Sequence, residues 1–531
     1  MLSLTKIFCG EFRHTIFTMK QVKERNFITG ALVLSMGGLF AKILGALYRI
    51  PLTNILGSYG MGLYQLVFPP YILMLTIAQA GVPTALSKLI AENNRLDNKE
   101  GSAKVFRFAF LLLLGLGIVS ALGVALFSKV IARAEGNIDT ATCFVIIAPA
   151  LVFVPVTNVL KGYFQGNMNM VPSSMTTVIE QIVKLAVGLT VASYFMPDVI
   201  KAVQGAVFAI TISEFTSLAI MTVVYLTKGR QMPVKLEKQD FKTMGGQVFQ
   251  LALPVALGAF VMQMSQVIDS VMVVNLLSTT NATNLYGLWT GPVNSMLGLP
   301  IAMSAGVAVS ALPGITNSYM SKDKNKLHSS YNSAIKLTVV IALPCALGLI
   351  VLSRQILSLL YGSLPNNEID IAGRLLSLSG ISVLFLAVMQ TCVSVFQAIN
   401  KPYVPVVALS LSIVVKAVGN LLLLPTSIGI YGSAVSETLC FFFACVVMVV
   451  YLGAKCQLSP DVQGCVIKPL AASLVMTLFI TVAATFLKSF VDTKIGTVVT
   501  VATAGIVYFI ALYLLKVFDK NELYVLPIKQ R

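Results

Sequence analysis

The chain has 531 residues, of which 56% are hydrophobic and 11% are charged, whereas about a quarter of the residues of an ordinary soluble domain are charged. This composition excludes a soluble globular protein and indicates an integral membrane protein. The formal charge of +17 does not indicate nucleic-acid binding, because the basic residues lie in short loops between apolar runs. The eight cysteines and two histidines show no metal-ligand spacing, so we expect neither a metal nor a cofactor.

The chain begins with a segment, residues 1–26, that we expect to be cytoplasmic. Residues 1–18 form no span and resemble no signal peptide, since they lack an apolar run followed by a small-residue cleavage site. Met19 is an alternative start of translation.

Apolar windows of about 20 residues predict an all-α integral membrane protein with about fourteen transmembrane helices. Several windows contain Pro or Gly, so bent helices are expected. Tyr286 and Trp289 are expected at the membrane interface. In chain order the windows lie near residues 27–47, 61–87, 107–127, 141–161, 172–195, 202–226, 247–277, 287–312, 333–353, 371–398, 403–424, 430–452, 466–487 and 496–516.

The distribution of basic residues predicts the orientation. If the N-terminus is cytoplasmic, the inner stretches hold roughly three times as many Lys and Arg residues as the outer loops. An even number of spans then places both termini in the cytoplasm.

An internal repeat divides the chain. Ala80-Gly81-Val82 returns 225 residues later as Ala305-Gly306-Val307, and Phe127–Ile131 returns at the same offset as Leu352–Ile356. The repeat therefore predicts two lobes of six spans each. Because six is even, both enter the membrane from the same side, and such parallel repeats place a binding site between the lobes. The predicted organisation is an N-lobe at 27–227, a cytoplasmic linker at 228–246, a C-lobe at 247–453, two additional helices within 454–517 and a cytoplasmic tail at 518–531.

Four basic residues at membrane depth are candidates for binding an anion, because a cation in hydrocarbon usually faces a partner or a cavity. Lys42 and Arg49 are seven residues apart and share one helix face. Lys184 and Lys416 occupy matching positions of the repeat. They could hold phosphate oxygens. Alternatively, each could neutralise an acid, as Glu180 could do for Lys184 four residues later.

Four acids at membrane depth are candidates for ion coupling or for pairing: Asp269, Glu180, Glu214 and Glu437. Asp269 is the first candidate for a coupling-cation site because polar residues surround it in sequence, although interhelical hydrogen bonding explains those residues equally well. Glu214 and Glu437 are better explained by packing or pairing. No catalytic triad, P-loop or metal motif is present in the sequence, so we expect no enzymatic activity.

Three motifs resemble one transporter branch. They are Lys42-Ile-Leu-Gly-(x3)-Arg49, Gly60-Met-Gly-Leu-Tyr-Gln65 and Gly81-Val-Pro-(x3)-Ser87-Lys88. They resemble stage V sporulation protein B and the polysaccharide-biosynthesis proteins of the multidrug/oligosaccharidyl-lipid/polysaccharide flippase superfamily. The resemblance extends from about Met19 to the end of the chain, and fourteen spans are similar to the number in lipid II flippases of peptidoglycan synthesis.

The resemblance implies a V-shaped pair of lobes working by alternating access, with a central cationic cavity for an undecaprenyl-linked diphosphate. It also implies that the last two helices form part of a groove for the lipid tail, and that Lys42 is a basic position of the first helix. Related lipid II flippases carry further arginines in the second span, whereas residues 71–79 here carry no cation. The anion site is therefore expected to use Lys184 and Lys416.

The sequence thus predicts a multi-pass flippase of the cell membrane that moves a lipid-linked saccharide for peptidoglycan synthesis or sporulation. Lipid II is the first candidate for this substrate. Its expected partners are this substrate and membrane lipids, with a coupling monovalent cation as a further candidate and no nucleic acid. The alternatives are a flippase for another lipid-linked glycan, a cation-coupled multidrug exporter, which would need an acid-rich cavity, and a non-transporting scaffold for cell-wall synthases, which would need long loops.

Overall fold

The computed structural model of the chain describes residues 4–79, 81–229, 238–277 and 279–518. Part of the predicted linker (230–237) and nearly all of the predicted tail (519–531) lie outside the described residues. Within the described ranges the chain is helical and contains no strand, which confirms the all-α prediction.

The described residues form twenty α-helices, one 3₁₀ turn at Ile138–Thr140 and two π-helical turns at Trp289–Val293 and Gln463–Ile467. The helices are α1 (Leu4–Gln79), α2 (Val82–Arg95), α3 (Lys99–Leu126), α4 (Ser128–Ala134), α5 (Ala141–Ile147), α6 (Ala150–Gly166), α7 (Val171–Phe195), α8 (Val199–Lys228), α9 (Lys238–Leu276), α10 (Ala282–Leu288), α11 (Asn294–Met320), α12 (Lys324–Val351), α13 (Ser353–Leu360), α14 (Asn366–Ser379), α15 (Ser382–Ala398), α16 (Tyr403–Leu423), α17 (Tyr431–Cys456), α18 (Lys468–Phe486), α19 (Lys488–Val491) and α20 (Lys494–Leu514).

The long helix α1 is broken at Gly57. This residue has φ 68° and ψ −175°, a conformation that side-chain-bearing residues avoid. A Cβ at Gly57 would meet no atom within 4 Å, so the glycine is needed for its backbone conformation and not for space. The break separates the stretch that carries Lys42 and Arg49 from the stretch that begins with the Gly60–Gln65 motif.

Within the described ranges, twelve helical segments are long and apolar enough to cross a membrane, and the bent pair α14–α15 (45°) would make a thirteenth. The first segment, Phe40–Arg95, has 56 residues, whereas about 20 residues suffice for one crossing. It contains the first predicted span in part and the second in full. The remaining segments coincide with the later predicted spans, and the count of fourteen stays a prediction.

The internal repeat is visible in how the helices pack. α2, α3 and α6 contact one another in the N-lobe as α11, α12 and α15 do in the C-lobe. Likewise α7 packs on α8 as α16 packs on α17, and α1 packs on α7 as α9 packs on α16. The two six-span lobes are therefore structural repeats. α18 and α20 pack on each other, and α18 also packs on α12 of the C-lobe.

The two aromatic residues expected at the membrane interface are instead part of the C-lobe core. Trp289 is 0% exposed and Tyr286 is 3% exposed, within a cluster that also includes Leu66 of α1. The expectation was wrong because the π-helical turn at Trp289–Val293 is enclosed by α1, α11 and α14.

Candidate substrate-binding site

Lys42 and Arg49 lie on the first part of α1, before the break at Gly57. The Lys42 side chain is exposed and that of Arg49 is partly buried. In the described part of the chain, no carboxylate lies within ion-pairing distance of either residue. Both cations are therefore uncompensated by direct ion pairs.

Arg49 lies where the two lobes meet. It interacts electrostatically with Tyr64 of α1, Lys184 of α7 and Tyr361, which follows α13 of the C-lobe. Its interaction with Lys184 is repulsive. Glu180 and Glu214 interact with Lys184 in the opposite, attractive sense.

Lys184 packs on aromatic rings of α1. Its Nζ lies 5.6 Å from the centre of the Tyr48 ring and 5.9 Å from that of Phe68, within the range of a cation–π interaction. Gly188, one turn later on α7, leaves room for the Tyr48 hydroxyl, which a Cβ there would overlap. Among the described residues, no acid forms an ion pair with Lys184.

Glu180, the acid considered as a partner for Lys184, pairs with Lys161 of α6 instead. The Lys161 Nζ lies 3.8 Å from Glu180 Oε2 and donates a 3.2 Å hydrogen bond to Thr177 Oγ1. Glu214 of α8 interacts electrostatically with Glu180, Lys161 and Lys184. We call Arg49, Lys161, Glu180, Lys184 and Glu214 the N-lobe cluster, which has one more cation than it has acids.

Lys161 was not among the predicted site residues, yet it lines a cavity of about 300 Å³ between the N-lobe and α9. The apolar window ends at Lys161, but α6 continues to Gly166. In the same cavity Asn158 donates a 2.7 Å hydrogen bond to Gln79. The lining residues are Thr76, Gln79, Gly81, Pro83, Thr84, Asn158, Lys161, Gly162, Gln165, Ala256 and Ala259.

The C-lobe contains a different charged network. Lys416 Nζ of α16 lies 3.3 Å from Asp269 Oδ2 of α9 and 3.3 Å from Glu437 Oε2 of α17. Asn420 donates a 2.9 Å hydrogen bond to Asp269 Oδ1. We call Asp269, Lys416, Asn420 and Glu437 the C-lobe cluster. It holds one cation and two acids, so its formal charge is opposite in sign to that of the N-lobe cluster.

The predicted site residues therefore fall into separate places. Arg49 and Lys184 are electrostatic neighbours on α1 and α7 of the N-lobe, Lys42 lies two turns before Arg49 on α1, and Lys416 lies between two carboxylates. Asp269 and Glu437 are thus both paired with Lys416, and the role of Asp269 in binding a coupling cation stays a prediction.

The lobes touch at the end of the molecule that carries α4, which we call the α4 face. Gly62 of α1 packs against the backbone of Thr283 and against Gly287 of α10, so closely that a Cβ on either glycine would overlap backbone atoms. Gln65 donates a 2.9 Å hydrogen bond to Thr290 O, and Ser58 donates a 2.7 Å bond to Glu368 Oε1 of α14. The Gly60–Gln65 motif thus forms part of a closed contact between the lobes.

At the opposite end, the lobes also make contact. Lys104 of α3 forms a 3.3 Å ion pair with Asp240 of α9. Gly81, with φ 71°, lies against the backbone of Ala252, and a Cβ at Gly81 would be 2.5 Å from Ala252 O. The cavity beside Lys161 therefore lies between these contacts and the interior.

A sequence model described as lipid II flippase MurJ matches residues 84–505, about four fifths of the chain. The chain belongs to the MurJ family. The lipid II flippase MurJ of Bacillus subtilis (strain 168) is 24% identical over 416 residues, 74% of this chain and 76% of that protein. The stage V sporulation protein B of the same organism is 25% identical over 355 residues, 64% and 68% of the two chains. The resemblance predicted from the motifs is confirmed.

A solved structure titled lipid II flippase MurJ, inward closed conformation, matches this MurJ-family chain with a TM-score of 0.72. It is 17% identical in sequence and covers 91% of this chain and 98% of its own. At this identity the likeness establishes the fold alone. The family model begins at Thr84, so the roles of Lys42, Arg49 and Gly62 depend on their positions in the structure.

Proposed function

We propose that this MurJ-family protein is a flippase that carries an undecaprenyl-diphosphate-linked saccharide across the cytoplasmic membrane, with lipid II as the substrate to test first. The observation that carries the proposal is the Arg49–Lys184 pair, two cations that form no direct ion pair with a carboxylate in the described part of the chain, within a cluster that has one more cation than it has acids. The names of the relatives, a lipid II flippase and a sporulation protein, support a lipid-linked cell-wall precursor.

The chemistry of such a substrate fits this pair. A diphosphate loses its hydration when it enters a protein within the bilayer, and hydrogen bonds from cations offset that cost. The guanidinium group of Arg49 can bind two phosphate oxygens at once, whereas Lys184 supplies a compact charge. The prenyl tail can stay in lipid, and α18 and α20 carry exposed apolar side chains, among them Leu474, Leu478, Ile506 and Phe509, that suit a groove for it.

The proposed cycle is alternating access between the lobes. The loop charges favour cytoplasmic termini, and in that orientation the α4 face would lie outside. The contacts of Gly62 and Gln65 then close the outer side, and the cavity beside Lys161 lies nearer the cytoplasmic side. A membrane potential that is negative inside would favour outward movement of the anionic diphosphate. Equal flipping rates in vesicles with and without a potential would remove that driving force from the proposal.

A multidrug exporter is the competing function, and it would need acids for cationic drugs. The charged residue lining the described cavity is Lys161, and the two acids of the C-lobe cluster are bound to Lys416. Lys161 is itself paired with Glu180, so the preference for an anionic substrate rests on Arg49 and Lys184 and on the described cavity lining, which includes no acid. This preference would be reversed if the wild type flipped cationic dyes and did not flip any lipid-linked glycan.

The test is lipid II flipping in proteoliposomes by the wild type and by Arg49→Ala and Lys184→Met. We expect each substitution to reduce the flipping rate at least tenfold, because about 1.4 kcal/mol of lost interaction corresponds to a factor of ten. The matched controls are Arg133→Ala and Lys88→Met, which remove exposed cations outside the cluster.

Three outcomes separate the parts of the proposal. Loss in both cluster variants with full activity in both controls supports the substrate and the site together. Full activity in all four variants keeps the substrate and removes the site. A wild type that flips a different undecaprenyl-linked glycan, but no lipid II, keeps the site and changes the substrate.

A further inference from the structure

Glu135 is a buried acid at the α4 face that the proposed binding site does not use. It follows α4 and lies between the spans Lys99–Leu126 and Ile138–Gly166. Its side chain is 1% exposed, and its Oε2 atom is buried with no hydrogen-bond partner among the described residues. A carboxylate in such a place is unstable unless it is neutralised.

Glu135 is buried because the C-lobe covers it. Asn275 of α9 donates a 2.9 Å hydrogen bond to Ala134 O, and Asn137 donates a 3.0 Å bond to Thr283 Oγ1. Gly136, with φ 83°, brings the loop so close to α9 that a Cβ there would lie 2.7 Å from the side chain of Val274. Separation of the lobes at this face would therefore expose Glu135 to water.

The charged groups around Glu135 do not neutralise it. The Ser270 hydroxyl of α9 lies against the carboxyl, and Tyr286 of α10 interacts electrostatically with both Glu135 and Asp269. Asp269 and Glu437 are themselves paired with Lys416. Asp139, on the same loop as Glu135, accepts a 2.7 Å hydrogen bond from Tyr59. No described cation, the exposed Arg133 included, forms an ion pair with Glu135.

We propose that Glu135 is a proton-binding site, and that uptake of one proton from the outer side accompanies closure of the α4 face. This inference rests on the proposed alternating-access function. The proton binds when the lobes close over the carboxyl and returns to the same side when they separate. The cycle is thereby sensitive to external pH without moving a proton across the membrane.

The sign of the pH dependence follows from the two states. Burial raises the pKa of the Glu135 carboxyl from 4.5 to about 8, while the nearby Ser270 side chain, whose hydroxyl donates to Val267 O, opposes part of that shift. The closed face therefore holds one more proton than the open face between these two pH values, so closure weakens as pH rises through this window. The ratio of closed to open molecules should fall up to about tenfold per pH unit there.

The first experiment measures protonation by infrared spectroscopy. The wild type should show a carboxylic-acid carbonyl band that titrates near the pKa of Glu135, and the band should be missing in Glu135→Gln. Glu368→Gln is the matched control, since Glu368 is an acid of the same face that accepts a hydrogen bond from Ser58. A band that is identical in wild type and Glu135→Gln overturns the site, whatever the flipping assay shows.

The second experiment measures closure. Spin labels at Arg133→Cys and Thr280→Cys, both at exposed positions on opposite lobes, report the distance across the α4 face; protein without these cysteines is labelled in parallel. We expect the long-distance population to grow between about pH 5 and about pH 8. Glu135→Gln should stay closed throughout, and Glu368→Gln should keep the wild-type slope. A slope unchanged in Glu135→Gln overturns the coupling.

A protein that shows both signals and flips no lipid-linked glycan removes the proposed function and keeps the proton site.

Discussion

The N-lobe and C-lobe clusters occupy related positions of one structural repeat, yet they carry opposite excess charge. Lys184 and Lys416 match in the repeat, but Lys184 lies over Tyr48 and Phe68, whereas Lys416 lies between Asp269 and Glu437. An ammonium group over aromatic rings keeps its charge available to an anion. An ammonium group between two carboxylates does not keep its charge available, because the carboxylates already neutralise it. Under the proposed function the N-lobe cluster would bind the substrate, whereas the ion pairs of the C-lobe cluster hold α9, α16 and α17 together.

The largest effect expected from this difference is on stability. Lys416→Met leaves two carboxylates without their cation and should lower the free energy of unfolding by about 3–5 kcal/mol. Lys184→Met removes cation–π contacts and should lower it by about 0.5–2 kcal/mol. Thermal unfolding in detergent, with lipid II flipping measured beside it, checks both. If Lys184→Met were the more destabilising, the roles assigned to the two lysines would have to be exchanged.

The second prediction concerns the coupling within the C-lobe cluster. Adding Asp269→Asn to Lys416→Met removes one of the two unpaired carboxylates, so the double variant should recover about 1–3 kcal/mol relative to Lys416→Met alone. Asp269→Asn by itself leaves the pair between Lys416 and Glu437 intact and should cost less than Lys416→Met. The double-mutant cycle is measured by unfolding. Strict additivity of the two substitutions would contradict a direct interaction.

The sequence predicts the fold well because the apolar windows and the matching motifs of the two halves are local signals. It also places Lys184 and Lys416 at equivalent positions. It does not predict their partners, because Tyr48 and Asp269 belong to helices far away in the chain. Helical periodicity identifies a face, but the identity of the neighbour depends on tertiary packing.

Two residues show the same limit in short segments. Lys161 is the last residue of an apolar window, although α6 extends five residues beyond it. Glu135 lies in a loop between spans, where an acid is ordinarily solvated. It is buried because α9 of the other lobe covers the loop, and contacts between lobes leave no periodic signal in the sequence.

The smallest effect concerns Lys42, the member of the predicted site that lies earliest on α1. It lies two turns before Arg49, and its side chain is exposed, so salt screens its charge more than that of the partly buried Arg49. Lys42→Ala should slow lipid II flipping by about threefold at low salt and leave the unfolding temperature unchanged. At about 1 M salt, where the Debye length falls to about 3 Å, the wild type and the variant should converge. A defect as large as that of Arg49→Ala, and insensitive to salt, would mean that Lys42 contacts the diphosphate directly, and the excess positive charge of the N-lobe cluster would then extend along α1 from Arg49 to Lys42.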